Sequence, residues 1–177
     1  SAASDVYKRQ VVLCCLFLLC LGCRNHEKEL KITEYVNPFI GTGAHGHCFP
    51  GAAYPFGAIQ LSPDNPRNGW DWSSGYHYSD SIISSFSHTH LSGTGIGDLQ
   101  DIRFLPVLNK PDSNQSTIQY IASNYARFSH DNEQAEPGYY KVKFDNGIIT
   151  ELSVTPRCGF HYYQSVSYTH LTLPTTE

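Results

Sequence analysis

From residue 31 onward the apolar positions show no sustained 3.6-residue period; they fall in short β-branched and aromatic runs broken by Gly, Pro, Asn and Asp. That spacing predicts an all-β domain. The clearest element comes late, where Tyr140, Val142 and Phe144 alternate with Lys141, Lys143 and Asp145 before Asn146-Gly147 and the run Ile148 to Thr155. Alternate strand residues share a face, and Asn-Gly tolerates the positive φ of a type I′ turn, so the stretch predicts a β-hairpin. Further strands are expected at Glu34 to Ile40, Ala58 to Leu61, Ile82 to His88, Ile102 to Leu108 and Gly159 to Gln164. Asn109 to Ser116, rich in Asn, Asp and Ser, reads as an exposed loop.

The two ends follow other rules. Val11 to Leu21 is an apolar run too short to cross a bilayer as a helix, but it has the length of the apolar core of an export signal. It closes on Cys20-Leu21-Gly22-Cys23, and a small residue directly before cysteine resembles the lipobox of bacterial lipoproteins. Cys23 is thus expected to carry lipid, anchoring a periplasmic or outer-membrane protein of a Gram-negative bacterium to the membrane, with residues 24–33 as a polar tether. Residues 1–10 and 165–177 read as adaptor sequence, His170 included, which leaves 34–164 as the domain.

Composition adds exclusions. The chain has 177 residues, 40% of them hydrophobic and 13% aromatic, enough for one buried core. Twelve basic against 16 acidic side chains give a net charge of −4 with no basic stripe, which argues against nucleic acid as a partner. Four of the six cysteines, Cys14, Cys15, Cys20 and Cys23, lie in or just after the apolar run. Cys48 and Cys158 remain, expected as buried free thiols rather than a bridge.

Candidate chemistry concentrates between Gly69 and Asp101, which hold Trp70, Trp72, His77, His88, His90, Asp71, Asp80, Asp98 and Asp101. A sugar ring stacks its C–H face on an indole while its hydroxyls require donors and acceptors, so the stretch suits carbohydrate. If the WDW segment is extended, Trp70 and Trp72 share a face and Asp71 points away. His88 and His90 would then also share a face, open to a ligand, to loop backbone or, with His45 and His47, to a metal. Asp98 and Asp101 read as an acid–base pair or as turn residues. Gly41 to Gly46 matches the dinucleotide fingerprint in letters, but Pro50 and Gly51 follow where a helix must open, so nucleotide binding is not expected.

Taken in order, YVNPFIGTGAHGHCFPGAAYPFGAIQLSPD, GWDWSSGYHYSD, FSHTHLSGTGIGDLQD, FSHDNEQAEPGYYKV and TPRCGFHYY resemble the N-terminal domain of glycoside hydrolase family 92. The resemblance implies an antiparallel β-sandwich of the galactose-mutarotase-like type, incomplete here, beside a catalytic (α/α)6 barrel that this chain does not reach. It implies a calcium-dependent, inverting exo-α-mannosidase acting on N-glycans or mannans, in which one carboxyl protonates the leaving oxygen and another activates water. Acid, base and calcium ligands are expected in the barrel, so this chain carries no catalytic or metal residue and is inactive alone. What it carries over is sugar binding by mannose-terminated glycans' contacts with His45, His47, Trp70, Asp71 and Trp72, and with the loop of His88, His90 and Asp98. Two other readings compete: a free-standing carbohydrate-binding module, favoured by a gene ending near Gln164, and a histidine-dependent metal hydrolase, favoured by zinc retained through His88 and His90.

Overall fold

The computed structural model describes residues 10, 31–93, 97, 100–108, 114–165 and 170–172. The chain divides into Ser1–Lys31 and Ile32–Glu177; the export run and Cys23 lie outside the described residues, and the elements below belong to the second unit. In chain order these are β1 (Ala52–Ala53), β2 (Gln60–Asp64), β3 (Ile82–Ile83), β4 (Ser85–Ser87), β5 (Arg103–Val107), α1 (Thr117–Ser123), β6 (Ala126–Glu136), β7 (Tyr139–Phe144), β8 (Ile149–Val154), β9 (Gly159–Gln164) and β10 (His170–Thr172). They form two antiparallel sheets, β1-β2-β4-β5-β10 and β3-β6-β7-β8-β9.

Alternation in the late hairpin does what the pattern requires. Tyr140, Val142 and Phe144 point inward with Leu152 and Val154 of β8, and meet Ala52, Leu61 and Phe86 of the facing sheet. The result is an all-β sandwich whose core lies between the sheets. The turn differs from the expected type I′. Gly147 N–H donates to Phe144 O at 2.9 Å, Gly147 alone of the Asn-Gly pair has positive φ, at 88°, and Phe144 N–H donates to Ile148 O. This is a type I turn closed by a glycine bulge, with Asn146 Oδ1 accepting from Ile148 N–H.

Three other expectations need correction. Glu34 to Ile40 forms no strand: Ile32–Tyr35 is a 3-10 turn, and Asn37 Oδ1 accepts the Phe39 amide at 3.0 Å. A local side-chain acceptor there outcompetes a ladder. Ile82 to His88 is two strands in two sheets, because Ser84 bonds Asp64 O through both its amide and its hydroxyl and so carries the chain across. Ala58 to Leu61 slides to β2, which runs on through Pro63 to Asp64.

Four elements were not anticipated: β1, α1, β6 and β10. α1 is capped by Ser116, whose hydroxyl accepts from Gln119 N–H while the Gln119 side chain returns to the Ser116 amide. Its Tyr120 packs on Leu105 and Val107 of β5. β6 is polar in sequence and loses register with β7 between Phe128 and Glu133, which hides its alternation. β10 pairs with β5 and lies within 165–177, the stretch read as adaptor; backbone pairing asks little of sequence origin.

Candidate functional site

Two loops build the candidate site. The first, from Gly41 to Cys48, folds back on itself: Cys48 N–H donates to Gly41 O at 3.1 Å, and a Cβ on Gly46 would lie 2.1 Å from that same oxygen. Only glycine fits there. Ala44 and His47 adopt positive φ of 47° and 50°, a conformation that non-glycine residues hold only where surroundings impose it. No helix follows the loop, as expected from Pro50.

The second loop carries Trp70–Trp72 as a 3-10 turn, not an extended segment, with Ser73 N–H on Trp70 O and Gly75 N–H on Trp72 O. Such a turn fans successive side chains around its axis, so the indoles do not share a face and Asp71 does not point away from Trp70. Trp70 is 60% exposed and meets His47 edge-on, ring centres 4.1 Å apart. Trp72 is half-buried, stacked on His77 at 4.3 Å, its Nε1–H donating to Asp80 Oδ2 at 3.3 Å. His77 in turn reaches Ala44 O at 3.2 Å, which ties the loops together beneath the surface.

Asp71 therefore joins the first loop. Its Oδ1 lies 2.6 Å from His45 Nδ1 and 3.5 Å from His47 Nε2, the side chains being 28%, 76% and 5% exposed respectively. The His45 hydrogen bond holds the Asp71 carboxyl below its usual value against the opposing effect of burial. His47 Nε2 is in ion-pair range but makes no hydrogen bond, and it is among the few buried polar atoms left without one. An exposed indole, an exposed imidazole and an ionised carboxylate thus share one rim, with a buried imidazole nitrogen unsatisfied below.

The remaining sequence candidates go elsewhere. Asp98 lies outside the described residues. His88 and His90 do not share a face, because β4 ends at Ser87 and the chain turns. His88 faces His161, Nε2 to Nε2 at 3.2 Å, and accepts or donates within the sandwich rather than to the rim. Burial, with the His88 ring second, pushes His161 down to about 4. His90 is buried against Asp64, Nε2 to Oδ1 at 2.8 Å, and cannot touch a sugar. Asp101 accepts from Thr89 Oγ1 at 3.2 Å. Cys48 and Cys158 are free, but Cys158 is exposed and Cys48 half-buried, not two buried thiols.

Sequence reasoning missed two buried carboxylates. Asp64 is one; the other, Glu133, accepts from Tyr140 at 2.6 Å, from Tyr76 and from His130. Burial first, and that carboxylate second, raises both tyrosine hydroxyls. No linear signal marks these groups, whose partners are up to 57 residues away. Among the described residues no three His, Cys, Asp or Glu side chains gather to hold a metal ion.

Comparison with known proteins places the chain in a family. The model of the glycosyl hydrolase family 92 N-terminal domain matches residues 35–170. A solved family GH92 alpha-mannosidase from Bacteroides thetaiotaomicron is 41% identical over 77% of this chain, at a TM-score of 0.68. A family GH92 inverting mannosidase from Bacteroides thetaiotaomicron VPI-5482 is 27% identical over 82% of it, at 0.64. An uncharacterized secreted glycosidase from Arthroderma benhamiae is 29% identical over 136 residues, 76% of this chain. The chain spans only 19%, 19% and 17% of those three proteins.

Proposed function

The chain belongs to glycoside hydrolase family 92, whose N-terminal domain it forms, and from that premise we propose that it supplies the sugar-holding side of an exo-α-mannosidase pocket. The parent enzyme acts on mannose-terminated N-glycans or mannans by inversion, and its acid and base lie in a C-terminal (α/α)6 domain beyond this chain. Supporting this, the solved relatives are named as mannosidases and are about four times as long. The relative from Arthroderma benhamiae is named as secreted; for this chain we propose export as a lipoprotein anchored through Cys23.

One observation carries the sugar reading: the exposed Trp70 face stands beside the His45–Asp71 pair, above the unsatisfied His47 nitrogen. An indole stacks on a pyranose while a carboxylate accepts from two vicinal hydroxyls, and the pair's fixed geometry spares the ligand an ordering cost. Trp72 steadies the turn from below rather than meeting sugar. His88 and His90 take no part in contact.

Calcium, implied by the family, does not fit these residues. It prefers six to eight oxygen ligands, whereas this rim is rich in imidazole, and the buried Asp64 and Glu133 are already taken up by hydroxyl and imidazole donors. We place its ligands outside the chain and route no step through it. The test is titration with methyl α-mannoside. The native chain should bind, and Trp70→Ala should lose affinity roughly tenfold, in line with one lost aromatic contact of about 1.5 kcal/mol. Equal binding by Trp70→Ala would remove the rim from the pocket.

A further inference from the structure

Beneath the rim lies a buried histidine–carboxylate pair that no sugar can reach. The side chains of Asp64 and His90 are both fully buried, and Asp64 Oδ1 accepts from His90 Nε2 at 2.8 Å. The same oxygen accepts from Ser87 at 2.9 Å, and Oδ2 accepts from Ser85 at 2.7 Å. On its other edge, His90 Nδ1 meets Gln60 O at 2.9 Å. Every polar atom of the pair is thus engaged by β2 and β4, two neighbours in one sheet.

Both site loops rest on this pair. Gly75, which closes the Trp70–Trp72 turn, has φ +91°, and a Cβ there would lie 2.5 Å from Gln100 Nε2 and 2.9 Å from both Asp64 Oδ1 and His90 Cδ2. Its carbonyl accepts from Asn65 N–H at 2.7 Å, and Asn65 Oδ1 accepts the His77 amide at 2.6 Å. The Gly41 to Cys48 loop runs into Phe49, whose ring centre lies 5.0 Å from that of His90, and Gly93 N–H donates to His47 O at 2.7 Å. A core built only for stability would fill this volume with apolar side chains, since a buried ionisable pair is weak evidence of stabilisation.

We propose that Asp64 and His90 are positioning residues: the pair fixes the spacing of the two loops, so that His45, His47, Asp71 and Trp70 meet on one rim. The assignment of a sugar to that rim rests on the reading above; the spacing itself does not. Because bonds from His90 are directional and those of an apolar filler are not, the pair sets where the loops stop as well as that they pack.

The experiment uses the 177-residue chain, isotope-labelled, in His90→Gln, Asp64→Asn and the double variant. Ring signals of His45 and His47 and the Trp70 indole are followed by NMR alongside amides of Val142 and Leu152 in the core, with methyl α-mannoside as the probe. The expected result is displaced rim signals with the core signals in place, mannoside affinity lower by about tenfold or more, and a double variant no worse than either single one. Rim signals unmoved in His90→Gln, or rim and core displaced alike, would overturn the proposal. Should His90→Gln fail to fold, Asp64→Asn decides by the same signals, since it keeps the size and shape of the side chain while removing its charge. A native chain that ignores mannoside would sink the sugar reading, while the rim signals still decide the role of the pair.

Discussion

At the scale of single residues, environment rather than identity assigns the histidines their roles. His45, exposed, hydrogen-bonds Asp71 and keeps that carboxyl ionised to lower pH; His161, half-buried beside His88, is pushed to about 4 from 6.5. The second shift has a direction in stability. A histidine whose folded value is depressed binds its proton more readily when unfolded, so stability falls as pH drops from about 6.5 towards about 4 and levels off below that. His161→Phe should flatten that part of the profile of Tm against pH; an unchanged slope would assign it to other groups. The two tryptophans separate in the same way. Their spacing in sequence is symmetrical, yet one stacks on His77 and the other stands in solvent, because a 3-10 turn fans side chains that a strand would align.

At the scale of elements, the β7–β8 hairpin was legible because alternation and turn chemistry agree there. Its register now depends on Gly147 at φ 88°. Gly147→Ala should cost about 1 kcal/mol, seen as a lower urea midpoint with an unchanged slope. A strict type I′ turn would make Asn146 equally sensitive, so Asn146→Ala offers the comparison and should cost less strain. β6 stayed hidden for the opposite reason. It buries Glu133, a residue that by type belongs outside, and only His130 of the same strand and the tyrosines arriving from other segments make that tolerable. α1 did leave a trace, the Ser116 to Gln119 capping box, but seven residues are too few for an apolar period to register.

At the scale of the whole molecule, the proposed division puts a sugar rim on this chain and the catalytic pair beyond it. Assayed alone against aryl α-mannosides it should give no turnover; measurable hydrolysis would contradict acid and base lying outside it. A Cys23→Ser variant expressed from the whole gene in a Gram-negative host should lose lipid labelling, and retained label would refute the lipobox. What the sequence by itself determined is whatever local rules and long ordered motifs carry: an all-β chain, the late hairpin, the family, and the Gly41–Cys48 and Trp70–Trp72 loops as places of interest. What only the tertiary structure decided is which side chains of those loops share a rim. Asp71 reaches His45 across 26 residues, and His90 leaves solvent for Asp64 across another 26. Contacts of that span are fixed by how two sheets close on a core, and neither spacing nor residue type encodes the closure locally.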